Sequence, residues 1–211
     1  MPTSHPHQLN EILDLVLKTN PQSVLDVGVG FGKYGVLVRE YLEFWDGREE
    51  YRDWKRQIDG IEVFEHYLTP LHAFIYNKVH IGSAAELLPN LPTRYDLLLL
   101  IDVIEHFTQE DGLRFLELCF SRARNVIIST PRDIGNQGDA FENPHETHRF
   151  QWTAEHFLAY PNSVQIDHED SLIFFIGEDA SKVRVSARER LARQCPLLRT
   201  ALRRIKRVFA R

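Results

Sequence analysis

An apolar run with one acid inside it, Ser23-Val-Leu-Asp-Val27, passes directly into a glycine-rich turn, Gly28-Val-Gly-Phe-Gly32. A helical pattern carrying Tyr34, Val36, Leu37, Val38, Tyr41 and Leu42 follows. A run that is apolar on both faces suits a strand buried inside a parallel sheet. Glycine at its end permits a tight turn and lets a ligand approach the backbone without meeting a Cβ. Strand, glycine turn and helix in that order open a doubly wound sheet, in which ligands lie at the carboxyl edge against the following helix N-terminus.

The same alternation continues along the chain. Leu9, Ile12, Leu13, Val16 and Leu17 recur at helical spacing ahead of Asn20-Pro21, which stops a helix. Strand signals at 58–63, 79–81, 95–101 and 125–129 are separated by helical stretches such as 112–120, which implies parallel order. The last apolar runs, 164–166 and 172–176, are joined only by His168-Glu-Asp-Ser171, which suits a hairpin. The pattern predicts an α/β protein with a doubly wound, Rossmann-like, seven-stranded sheet, mostly parallel with one antiparallel strand near the C-terminus. A charged stretch, 43–57, with Trp45, Tyr51 and Trp54, reads as a helical or looped insertion before the second strand.

A chain of 211 residues is one ordinary α/β domain, expected over 1–181, with a basic amphipathic tail over 182–211. The tail holds eleven Lys/Arg against the single acid Glu189, a surplus of ten, so within a total of −5 residues 1–181 carry −15. An acidic body repels polyanions and a basic tail attracts them. Leu198, Leu202, Ile205 and Phe209 follow helical spacing after Pro196, a pattern that suits an anionic membrane surface, RNA or a subunit contact. The first ten residues are polar and the longest apolar run, Leu97 to Ile101, is too short to span a bilayer, so a cytoplasmic protein is expected, with peripheral contact at the inner membrane face through the tail. Cys119 and Cys195 lie far apart and outside metal-ligand spacing, and read as structural or incidental.

The glycine turn has three readings. A nucleoside-triphosphate loop requires Gly-x4-Gly-Lys-Ser/Thr, but Val27 stands at its first glycine and Tyr34 at its hydroxyl position. Gly30, Gly32 and Gly35 spell G-x-G-x-x-G, yet begin three residues after the strand's last apolar residue, where a dinucleotide fingerprint starts almost at once. Asp26 adds a carboxylate, which suits the ammonium of an amino-acid ligand better than a phosphate.

On these residues the segment resembles motif I of class I S-adenosylmethionine-dependent methyltransferases, and the resemblance runs over about 21–177. It implies that S-adenosyl-L-methionine is held by Asp26, Gly28, Gly30 and Gly32, and that Glu62 of Asp-Gly-Ile-Glu-Val63 holds the ribose hydroxyls, with Asp59 as the alternative. The family's acid after the third strand is replaced here by Gly82-Ser83-Ala84, so Ser83 or a backbone amide of this Ser83-Ala84 turn is expected to meet the adenine.

Asp102-Val-Ile-Glu-His106 follows the fourth strand, beside the ligand cleft. If the chain coils there, Asp102, Glu105 and His106 share a face; the resemblance to class I methyltransferases implies that, without a metal, Asp102 would face the donor's methionine end. Thr108-Gln-Glu-Asp111 offers a helix cap. A second cluster, Asn143-Pro-His-Glu-Thr-His-Arg-Phe-Gln-Trp152, follows the fifth strand, with Phe150 and Trp152 read as packing residues. Together the two clusters resemble the metal-dependent small-RNA terminal 2′-O-methyltransferases. That resemblance implies a divalent ion on Asp102, Glu105, His106 and either His148 or His145, with manganese, iron, cobalt or zinc favoured over magnesium. Without metal, His106, His145 or His148 would serve as general base. The whole chain is also similar to small bacterial methyltransferases of undefined substrate, some tied to surface-glycan or natural-product synthesis. The expected function is O-methylation of a small-molecule or glycan hydroxyl, with RNA 3′-terminal 2′-O-methylation and a non-catalytic donor-binding module as alternatives.

Overall fold

The computed structural model describes residues 3–44, 50 and 52–184. Helix α1 (Leu9–Thr19) buries Ile12, Leu13, Leu15 and Val16. It ends at Asn20, whose left-handed backbone (φ 48°) lets its N–H close on the Val16 carbonyl at 2.9 Å. Leu17, expected on the inward face, is exposed, and Leu15 is turned inward instead.

From there strands and helices alternate: β1 (Ser23–Val27), α2 (Lys33–Glu43), β2 (Gln57–Glu62), α3 (Pro70–Ile75), β3 (Lys78–Ile81), α4 (Ala84–Leu87), β4 (Tyr95–Ile101), α5 (Gln109–Arg122) and β5 (Ala123–Pro131). Helix α6 (Ala154–Leu158), the hairpin of β6 (Ser163–Ile166) and β7 (Ser171–Gly177), and α7 (Ala180–Val183) complete the described chain. Thr108 caps α5 as its spacing suggested, its hydroxyl accepting the Asp111 N–H at 3.2 Å.

The seven strands form one sheet in the order β3-β2-β1-β4-β5-β7-β6. All neighbours are parallel except that β7 runs antiparallel to both β5 and β6. This is the doubly wound sheet read from the pattern. Side-chain alternation splits its residues between two cores. Leu97, Leu99, Ile127, Ile173 and Phe175 face α1 and α2, while Leu98, Leu100, Val126, Ile128 and Phe174 face α5 and α6. Both faces are covered, which is why these strands read as unbroken apolar runs. The chain steps from β1 out to β3 and returns to β4 on the other side of β1, so the carboxyl ends of β1 and β4 flank the switch point.

Part of the charged insertion, including Trp45 and Tyr51, lies outside the described residues, as does the tail beyond 184 with its expected helix. The described end of the insertion is anchored by a buried cation. Arg39 bonds Glu43 at 3.2 Å, the carbonyls of Ile75 and Arg56 at 2.8 Å each, and Asn77 at 2.6 Å, beneath the Trp54 ring. Cys119 is a buried free thiol whose pKa burial raises; Cys195 lies outside the described residues. Among the described residues no helix is long and apolar enough to cross a membrane.

Candidate active site at the carboxyl edge of the sheet

One cavity of about 670 Å³ opens at the switch point. Asp26, Gly28, Gly30, Glu62, Ser83, Ala84, Asp102, Glu105, His106, His145 and His148 all line it; Gly32 and Asp59 do not. Gly32 instead caps α2 with φ 86°. Asp59 points into the core, where Tyr95 Oη and Gln57 Nε2 each donate to its Oδ2 at 2.6 Å. Of the two acids considered for the ribose, Glu62 is therefore the one in the cavity.

The glycine turn is fixed from three sides. Gly28 has φ 74°, and a Cβ there would sit 2.7 Å from a Val103 methyl, so the β1 turn packs directly on the β4 turn. Gly30 N–H donates to Glu62 Oε2 at 2.9 Å, and Phe64 N–H donates to Oε1 at 3.0 Å. Burial raises the Glu62 pKa against these backbone bonds. The third side is His72, at the third position of α3. Its Nδ1 accepts the Thr69 N–H at 3.0 Å, so the proton sits on Nε2 and is donated to the Gly30 carbonyl at 2.9 Å. The spacing Thr-x-x-His is a capping box with histidine in the usual place of glutamate, and it recurs at Thr153 and His156.

Asp26 is buried. Tyr76 Oη donates to its Oδ2 at 2.6 Å, and the Tyr76 ring fills the space that a Gly35 side chain would need, 2.3 Å from a Cβ placed there. Desolvation pushes the Asp26 pKa up to about 7 despite the Tyr76 bond, with the Glu62 charge adding to the rise. Gly35 thus serves Tyr76, a partner that pattern reading had no means of finding.

The two acceptor-side clusters meet because the Glu105 carbonyl accepts the N–H groups of Arg149 at 2.8 Å and Phe150 at 3.3 Å. Trp152, buried as a packing residue, donates its Nε1–H to the Ile104 carbonyl at 2.9 Å and so pins the short 3-10 turn Ile104–His106. Ligand atoms of Glu105, His106 and His148 lie within 4.8 Å of one another. His106 Nδ1 is 3.2 Å from the Thr147 carbonyl and His148 Nδ1 is 2.5 Å from the Ile134 carbonyl. Carbonyls only accept, so both Nδ1 atoms carry protons and both lone pairs are on Nε2. This is how metal-ligating histidines are commonly oriented. Burial lowers the His106 pKa, which favours the neutral ring. Glu105 Oε2 is buried without a hydrogen-bond partner, and its pKa is raised well above normal, mainly by desolvation and then by the Asp102 charge. A buried carboxylate oxygen without a donor is costly alone and well served by a cation. The three residues therefore fit a divalent ion.

Asp102 does not join this group, in contrast to the expected four-ligand set, because its backbone takes a left-handed turn (φ 53°) and its carboxylate faces the N-terminal segment. His145 also stays out of it: it is exposed, and its N–H caps back to Asn143 Oδ1 at 2.9 Å. Three residues in or beside the cavity were not foreseen. Lys33 lies on one side, Tyr67 on the other donates its hydroxyl proton to Glu146 Oε1 at 2.9 Å, and Gln8, outside the lining, reaches the cavity through its bond to Asp102 Oδ2. A second close grouping, His5, His7 and Asp170, is exposed, and His7 Nδ1 lies at hydrogen-bond distance, 3.1 Å, from Asp170 Oδ2.

Neither family models nor curated proteins yield a match to the sequence. Solved structures do. An assigned O-methyltransferase from Nostoc punctiforme PCC 73102 aligns over 81% of this chain and 57% of its own length, with 17% identity and a TM-score of 0.54, so the present chain spans little more than half of it. A SAM-dependent methyltransferase from Archaeoglobus fulgidus aligns over 81% of this chain and 92% of its own, with 14% identity and a TM-score of 0.56. The methyltransferase domain of bacterial CtHen1 aligns over 82% of this chain and 98% of its own, with 20% identity and a TM-score of 0.52. At these identities the likeness is one of fold, and the chain has the Rossmann-like α/β fold of the S-adenosylmethionine-dependent methyltransferases.

Proposed function

We propose that the cavity binds S-adenosyl-L-methionine and transfers its methyl group to a hydroxyl of a small molecule or glycan, with Glu105, His106 and His148 holding a divalent ion on the acceptor side. One observation carries this reading. A single cavity runs from a glycine turn clasped by Glu62 to an orphaned carboxylate beside two imidazoles whose lone pairs are on Nε2.

The chain's own residues divide the work. Glu62 offers its remaining lone pairs to the ribose hydroxyls, the Ser83-Ala84 turn meets the adenine, and Asp26 and Asp102 supply negative potential for a cationic donor. Most of the rate enhancement comes from alignment of the sulfonium carbon with the acceptor oxygen. Methyl transfer turns the sulfonium into a thioether and releases the hydroxyl proton, which needs an acceptor. A divalent ion held by the three residues would acidify that hydroxyl. Mixed carboxylate and imidazole ligation fits manganese, iron, cobalt or zinc better than magnesium. In an ion-free site, the neutral His106 ring is the available base.

Elemental analysis and donor titration test this together. The purified chain is expected to carry about one divalent ion, and Glu105→Gln and His148→Asn are expected to lose at least ~90% of it while leaving S-adenosylhomocysteine affinity within ~2-fold. Full metal content in both variants would remove the metal assignment.

A second reading, methylation of an RNA 3′-terminal 2′-hydroxyl, draws on the same three residues, on the fold likeness to the CtHen1 domain, and on the basic stretch 182–211. The acidic body argues against it. It requires RNA binding by the full chain that weakens steeply with salt; no RNA retention at low salt would eliminate it. Donor binding without product from any acceptor would instead support a non-catalytic module.

A further inference from the structure

Residues 3–6 form one wall of the cavity, and Gln8, two positions on, is fully buried and reaches the cavity only through its partners. A buried amide needs partners for both of its ends. Gln8 Nε2 donates to Asp102 Oδ2 at 2.7 Å, and Gln8 Oε1 accepts from the Ser129 hydroxyl. Both partners stand at carboxyl ends of central strands, Asp102 after β4 and Ser129 in β5.

Asp102 needs such support. It holds a left-handed backbone, which side-chain-bearing residues adopt reluctantly, and its N–H is fixed to the Ser129 carbonyl at 2.9 Å. Its Oδ2 takes a second donor, His5 N–H at 3.2 Å, while Oδ1 lies 2.8 Å from the Ser129 hydroxyl. A carboxylate has about four acceptor positions; Gln8 and His5 take those of Oδ2, and because the one Ser129 proton goes to Gln8 Oε1, Oδ1 is left open to a further donor. Lys33, whose ammonium is bonded to the Ser4 carbonyl and lies 3.2 Å from the Ser4 hydroxyl, ties the same wall down next to Asp102. What the amide adds is a fixed direction for one cavity carboxylate.

We infer that Gln8 is a positioning residue: through its Nε2–H it aims Asp102 at the ammonium of the donor's amino-acid end. This rests on the donor-site reading of the cavity. Gln8 touches no ligand itself, and its effect is confined to that end of the ligand.

Two ligands separate this role from general support of the fold. S-adenosylhomocysteine and 5′-methylthioadenosine share the nucleoside and thioether, and only the former has the amino-acid end. In calorimetric titrations of the full chain, Gln8→Met is expected to weaken S-adenosylhomocysteine about 10-fold and to leave methylthioadenosine within about 2-fold. Asp102→Asn should show the same split, and the double variant should be no weaker than either single one, because both changes break one interaction. Gln8→Glu keeps the shape and the Ser129 contact while repelling Asp102, and gives the same split should Gln8→Met fail to fold. Equal loss for both ligands, no loss, or additive losses with Asp102→Asn would overturn the inference. A wild-type chain that binds neither ligand would overturn the donor-site reading itself.

Discussion

Asp26 bears the least favourable charge of the donor half. Its folded pKa of about 7 stands against 3.8 for a free side chain, so between those values the folded chain keeps a proton that the unfolded chain has lost. Stability from this residue is therefore greatest at low pH and declines as pH rises through the window from about 4 to 7. Donor affinity should move the other way, because a cationic ligand prefers the ionised acid: binding is expected to tighten between pH 6 and pH 8 in the wild type and to stay flat in Asp26→Asn, measured as Kd across pH. A flat wild-type profile would contradict the assigned charge. Asp26 and Glu62 were readable as single residues because they stand at strand ends beside glycines. Tyr76, His72 and Gln8, which hold Asp26, Gly30 and Asp102, were not, since each acts on a residue 42 to 94 positions away. Sequence spacing carries no information about such pairings unless the topology is already in hand.

At the scale of elements, burial on both sheet faces, which gives unbroken apolar runs between 3.6-period helices, made β1, β4, β5 and the β6–β7 hairpin legible nearly to their ends. The 3-10 turn Ile104–His106 was less so. A regular helical turn from Asp102 would have placed three acids and bases on one face, but the left-handed residue at its start rotates Asp102 away and leaves His148 to complete the group. Gly35 offers a test of how tightly α2 and Tyr76 are fitted. A methyl group at Gly35 must displace the Tyr76 ring, so Gly35→Ala is expected to lower stability by about 1–3 kcal/mol in chemical denaturation and to weaken donor binding through Asp26. Unchanged stability would mean that the ring has room to move.

Over the whole molecule, an acidic body of −15 and a basic stretch of +10 favour different partners, and the cavity belongs to the body. The acids Asp26, Glu62, Asp102, Glu105, Asp111 and Glu146 outnumber the cations Lys33 and Arg149 around it, which suits a cationic donor and a divalent ion better than a polyanion. The proposed function requires this edge of the sheet to hold a nucleoside amino acid, with Glu62 on its ribose. Titration of S-adenosylhomocysteine into the full chain, beside Glu62→Ala, tests it most directly. Saturable one-to-one binding that weakens at least about 10-fold in the variant is the expected result; absence of binding, or equal affinity in the two proteins, would contradict it.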